Sequence, residues 1–186
     1  MLQIKIGQWL LVICCIFYLI WWSIAFHPNH GDDHTSGLDG WLLLITALFG
    51  LAGIAINLIG IRDSGAGKGF TNGAMIAVVG VIVYIVLLIG TRLIFHRQVT
   101  TELLLIVGWT MLEISSVNVA FALEAVSWEK VVAILVIVVI AAVASFICYM
   151  LYYNVAPMTG YFFGMIPLIT EAVSMVVFEV ILIQHG

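Results

Sequence analysis

The sequence predicts an all-α, polytopic integral membrane protein: six transmembrane helices forming a single domain, with both termini on the cytoplasmic side. Three observations predict it. Of the 186 residues, 64% are hydrophobic and 9% charged, where a soluble domain carries roughly 25% charged residues. Apolar runs of about 18 residues or more follow one another in series, each long enough to cross a hydrocarbon layer about 30 Å thick. Lysine and arginine are also shared unequally between alternate connections, as expected when cytoplasmic loops retain them during insertion. Six spans leave about 31 of the 186 residues for each span and its connection, so any chemistry must sit in helices or short loops.

The first span covers 9–26. It begins soon after Lys5, as a secretory signal would, but runs unbroken to Phe26 without an A-x-A site before His27, so it is expected to remain as a membrane helix. His27-Pro28 ends it, because proline donates no backbone hydrogen bond and restrains the residue before it. A polar, acidic loop leads to the second span, 41–61, which stops at Arg62-Asp63 before a glycine-rich turn. The third, 74–95, carries Arg92 near enough to its end to extend toward the headgroups. The fourth, 101–126, contains Glu113, Ser115, Ser116, Asn118 and Glu124 in otherwise apolar sequence. The fifth, 131–153, is rich in β-branched residues, but its length and lack of alternation favour a lipid-facing helix. The sixth, 161–184, contains Pro167, Glu171 and Glu179.

With the N-terminus inside, Lys5, Arg62, Lys68 and Lys130 lie inside, against Arg92 and Arg97 outside. Trp9 and Trp128 then mark the inner boundary, and Trp21, Trp22, Trp41, Tyr152 and Tyr153 the outer one. On the second span Thr46, Gly50, Gly53, Asn57 and Gly60 recur at helical spacing. Such a small-residue stripe lets another backbone approach closely. Ala141, Ala144, Ser145, Cys148 and Tyr152 offer a comparable face on the fifth. No sequence repeat relates the two halves of the chain.

Four glutamates within membrane spans carry the functional expectation. An ionisable group inside a bilayer costs several kcal/mol unless neutralised, paired or hydrated, so such groups commonly mark ion paths or binding sites. Glu113 and Glu171 fall near the midplane, and Glu124 and Glu179 nearer the cytoplasm. Glu113, Ser116, Ala120 and Glu124 are spaced to share one helix face. Ser174 lies three residues beyond Glu171, and Pro167 one turn before it. Broken helices beside acidic groups recur in transporters. The proposed ion or proton site is therefore Glu113, Glu171, Ser116, Ser174, Glu124, Glu179 and Asn118. The same residues could instead fasten helices together by hydrogen bonds, or supply a catalytic carboxylate.

The outer loop gathers His27, His30, Asp32, Asp33 and His34, with His96 at the end of the third span. Imidazole and carboxylate are ligands for a divalent metal ion, although the spacing matches no standard motif and a solvated loop has the same composition. Three other patterns are discounted. Gly65 to Gly69 resembles a phosphate loop but lacks the first glycine and the Ser/Thr after Lys68. Ser115 and Ser116 have no histidine at their depth to act as a base. No histidine pair lies within the membrane to hold haem. Cys14, Cys15 and Cys148 read as small buried hydrophobes.

The net charge of −4, with no basic run, excludes nucleic acid as an expected partner. The partners expected are the lipid bilayer and a small cation or solute, with assembly into a homo-oligomer or larger membrane complex left open. The function expected is a small transporter or channel for cations, protons or a cation-coupled solute. The alternatives are a substrate-binding or accessory membrane subunit and a membrane-embedded metal-dependent enzyme. The location expected is the cell membrane, multi-pass.

Overall fold

A computed structural model describes residues 1–28, 37–65, 73–95 and 101–184. Six helices account for nearly all of them: α1 (Leu2–Ala25), α2 (Gly37–Asp63), α3 (Gly73–Phe95), α4 (Thr101–Ala122), α5 (Trp128–Tyr152) and α6 (Pro157–Ile183). Five of these are long and apolar enough to cross a membrane, and the described part of α3 adds a shorter apolar stretch, Val78–Ile94. The chain is a polytopic bundle of membrane-type helices.

The distribution of side chains identifies the solvent. Leu51, Val86 and Leu93 are 68%, 62% and 70% exposed, and every helix turns Leu, Ile or Val outward, whereas Gln8, Asn57, Glu113, Ser116, Ser145, Ser174 and Glu179 are all buried. In water this would be an inverted protein with a continuous apolar surface. In lipid, apolar side chains outside and backbone bonds closed within each helix are what the medium demands.

The α1–α2 pair is built on the small-residue stripe of α2. A Cβ added at Gly60 would meet Ile4, one at Gly53 would meet Leu11 and the carbonyl of Gly7, and one at Gly50 would meet Cys14. Positions fall on α2 as they rise on α1, in steps of three and four on both helices, so the pair is antiparallel with its backbones in close approach. Cys14 donates from Sγ to the carbonyl of Thr46 at 3.3 Å. The small-residue face of α5 meets α6, where the Ser145 and Thr170 hydroxyls lie 3.4 Å apart. α4 is the central element: 61% of its apolar window is buried, against 17–33% for the other four long helices.

One core cluster joins Ile4, Val117, Ala120, Val126, Val131, Phe178 and Leu182, with Met1 and Ile61 packed against it. Ile4 lies against Gly60 and Lys5 neighbours Glu179, so both termini of the described bundle lie at one end with the last turn of α2, and the alternating course of the helices brings the α4–α5 connection there too. That end carries Lys5, Arg62 and Lys130, the residues expected on the cytoplasmic side by the charge rule. Lys68 and Arg97 lie outside the described residues. At the opposite end Trp21, Trp22, Phe26, Tyr152 and Tyr153 form a continuous set of ring contacts, as an interfacial belt requires.

Several helix boundaries depart from the sequence expectation, among them the start of α2 at Gly37 rather than 41 and of α5 at Trp128 rather than 131. α1 starts at Leu2 rather than near Trp9, because nothing between Met1 and Trp9 breaks a helix and Ile4, Gly7 and Leu11 continue one packed face. α6 starts at Pro157 rather than Tyr161; proline suits the first turn, where its missing N–H would have no partner. α4 stops at Ala122 rather than Val126.

The α4 terminus is a Schellman turn. Ala125 N–H donates to Ala120 O and Glu124 N–H to Phe121 O, each at 2.9 Å, the paired closure that defines the motif. Glu124 takes the left-handed position at φ 57°, which glycine usually fills.

Candidate functional site

The interior of the bundle holds a polar cluster drawn from four helices. α4 supplies Glu113 and Ser116, one turn apart on the face that meets α1 and α2. α1 supplies Gln8 and α2 supplies Asn57. All four side chains are 0% exposed. Ser116 Oγ lies 3.0 Å from Asn57 Oδ1 and 2.8 Å from the carbonyl of Leu112, and can donate to either. Gln8 Nε2 donates to Ser116 Oγ at 3.5 Å. The Gln8 amide approaches the Glu113 carboxyl closely enough for at most a weak hydrogen bond, and Glu171 and Glu179 of α6 are its acidic neighbours.

Several atoms here have no hydrogen-bond partner among the described residues: Gln8 Oε1, Asn57 Nδ2 and both carboxylate oxygens of Glu113. Both oxygens of Glu179 and the Ser174 hydroxyl are likewise buried and unpartnered. Buried polar groups are hydrogen-bonded in the great majority of cases, and each exception calls for a specific cause. Several exceptions gathered in one interior place are a property of the site.

The acids form a series. Glu171 is half-buried on α6, with Cys14 and Cys15 of α1 and Glu113 of α4 as neighbours. Glu113 neighbours Glu179 in turn, and Lys5 acts on Glu179 as an opposite charge. Glu171 and Glu179 are eight residues apart on one continuous helix, about 12 Å along its axis. The series thus leads from mid-bundle toward the end that holds both termini. Charge on Glu179 is offset by Lys5; charge on Glu113 has no such partner among the described residues.

Pro167 lies within α6, one turn before Glu171. Its ring removes the N–H that would bond the carbonyl of Phe163. The Thr170 hydroxyl lies 3.0 Å from each of the Ile166 and Pro167 carbonyls and can donate its one proton to either.

The remaining sequence-derived positions divide as follows. Ser116, Glu113, Glu171 and Glu179 lie near one another inside the bundle. Ser174 is buried on α6. Asn118 is half-buried and lies on the far side of α4 from Glu113 and Ser116. Glu124 is corrected: it is exposed in the turn after α4, outside the helix and off the Glu113 face, because the Schellman closure ends the helix two residues earlier. Its role as an inner member of the series is withdrawn.

His27 follows α1, its ring 5.4 Å from that of Tyr161, within the aromatic end. His30, Asp32, Asp33, His34 and His96 lie outside the described residues. Among the described residues no group of three or more His, Cys, Asp or Glu side chains is placed to hold a metal ion. A pocket of about 230 Å³ opens at the aromatic end between Phe26, Pro28, Tyr152, Pro157, Gly160 and Tyr161, remote from the carboxylates.

Sequence reasoning missed Gln8 and placed Asn57 only in a packing stripe. Gln8 precedes the expected start of the first span. The available signal was the absence of any breaker between Met1 and Trp9, which extends the helix and places Gln8 next to Gly7 on the packed face. No protein-family model, curated protein or solved structure matches the chain.

Proposed function

We propose that the protein is a small membrane transporter or channel that moves protons or cations, or a solute coupled to them, through the acidic series Glu171, Glu113 and Glu179. The observation that supports this reading best is Glu113: fully buried on the central helix, with both carboxylate oxygens unpartnered and no basic side chain beside it among the described residues. Among the described residues only the Gln8 amide approaches that carboxylate and no cation offsets it, so an arriving proton or cation would neutralise it. Glu171, half-buried, is the outer receiving group. Glu179, offset by Lys5, passes charge to the cytoplasmic end.

The test is flux in proteoliposomes containing Glu113→Gln or Glu171→Gln protein. Loss of proton- or cation-driven flux in either variant is the expected result, and unchanged flux in both removes the proposal. Because Gln8, Asn57 and Ser116 also tie α1, α2 and α4 together, thermal stability is measured on the same preparations. A purely fastening role predicts lower stability with unchanged flux.

A further inference from the structure

The unpartnered atoms of the interior are chemically lopsided. Oxygens predominate: Gln8 Oε1, both of Glu113, both of Glu179 and the Ser174 hydroxyl stand against two nitrogens, Asn57 Nδ2 and Trp109 Nε1. A single added proton converts one carboxylate oxygen into a donor and can satisfy one acceptor. A metal cation satisfies several oxygens at once, and carboxylate, amide and hydroxyl oxygens are the ligands that hard cations take.

Gln8, Asn57, Ser116 and Glu113 carry such oxygens on neighbouring side chains; the Gln8 amide turns its nitrogen toward Ser116 and Glu113, and exchange of its nitrogen and oxygen by a half-turn presents the oxygen instead. Ser116 has one hydroxyl proton and two acceptors in reach, Asn57 Oδ1 at 3.0 Å and Leu112 O at 2.8 Å. When it bonds back to Leu112, as serines in helices often do, Asn57 Oδ1 and the second lone pair of Ser116 are both released. Four side chains then offer oxygen: one anionic group and three neutral ones. Of the three neighbouring acids only Glu113 belongs to these four side chains, and with Glu171 and Glu179 uncharged it sets the charge. A monovalent ion makes the cluster neutral, whereas a divalent ion would leave a net positive charge in the low-dielectric interior.

We propose that Gln8, Asn57, Ser116 and Glu113 form a binding site for a dehydrated monovalent metal cation. This rests on the transport reading only for its physiological use; binding is measurable without flux. The protein is melted in detergent at constant ionic strength, with sodium or potassium chloride replacing choline chloride. A stabilising shift of roughly 5 °C or more is expected with the bound ion about 100-fold above its Kd. Ser116→Ala and Asn57→Ala are expected to abolish that shift. Radioactive sodium bound by the unmutated protein, and displaced by excess unlabelled sodium, gives a readout that depends on no variant folding.

Absence of both a sodium or potassium shift and bound radioactive sodium overturns the site. A shift that survives both substitutions places the ion elsewhere and also overturns it. If the site fails while Glu113→Gln still abolishes flux, the series conducts protons and the transport reading stands. If ion-dependent stabilisation is found and removed by the substitutions while both glutamine variants transport normally, the cation site stands and the transport reading fails.

Discussion

Gly7→Ala adds one methyl group to the α1–α2 seam, and the structure shows what that group meets. A Cβ at Gly7 would lie 2.8 Å from Asn57 Cβ, 2.9 Å from Asn57 N and 2.9 Å from Gly53 O. Two of the three are backbone atoms, which cannot rotate aside. Restoring ordinary contact at about 3.5–4.0 Å requires the helices to part by roughly 0.6–1 Å. Overpacking of this kind costs about 1–3 kcal/mol, which corresponds to a fall of roughly 2–10 °C in melting temperature for a chain of this size. Parting the helices also draws Asn57 away from Ser116, now 3.0 Å distant. The control is Gly108→Ala on α4, where an added Cβ meets nothing within 4 Å; it should melt with the parent or slightly above it. The assay is thermal unfolding of the purified protein in detergent. A Gly7→Ala protein as stable as Gly108→Ala would refute the close-approach account of the seam.

Glu124→Gly should stabilise the protein by about 1 kcal/mol, since glycine accepts the left-handed conformation that glutamate holds at φ 57° without its steric cost; a lower melting temperature would contradict this. Gly164→Ala should destabilise by about 1–3 kcal/mol, because its Cβ would enter the space of the Trp22 ring and disturb the 3.1 Å bond from Trp22 Nε1 to Tyr161 O. Glu113→Gln should be at least as stable as the parent, since it removes an ionisable group without partners from the interior. A loss of more than about 1 kcal/mol in a denaturation curve would show that the carboxylate ties helices together. Cys14, Cys15 and Cys148 should resist a membrane-impermeant maleimide until the protein is unfolded, and rapid labelling of folded protein would contradict their interior placement.

What could be read in the sequence was what one helix displays by itself. Apolar length set six helices, and the spacing of Gly50, Gly53, Asn57 and Gly60 marked a seam before its partner was known. The glutamates stood out because charge is rare in such runs. What could not be read depended on a second helix or on local closure. Gln8 lies in a stretch with mixed polarity, and only its position against Ser116 across the bundle gives it meaning. Glu124 has the correct spacing for the Glu113 face, but spacing assumes that the helix continues. The Schellman turn that ends α4 uses a non-glycine residue at its left-handed position, so the usual signal of a helix stop was absent. The convergence of Glu171 on Glu113 joins α6 to α4, a pairing that neither stretch encodes alone.

The proline in α6 divides that helix into two segments with different attachments. The outer segment is held at the aromatic end, where Tyr161 O receives the Trp22 indole and Gly164 lies against the same ring. The inner segment carries Glu171, Ser174 and Glu179 on a single rod. Between them one backbone bond is missing, so bending there is cheaper than elsewhere along the helix. A pivot at Pro167 would swing all three polar groups past α1 and α4 together and leave the aromatic anchor in place, changing the distance from Glu171 to Glu113 by rotation at a single point.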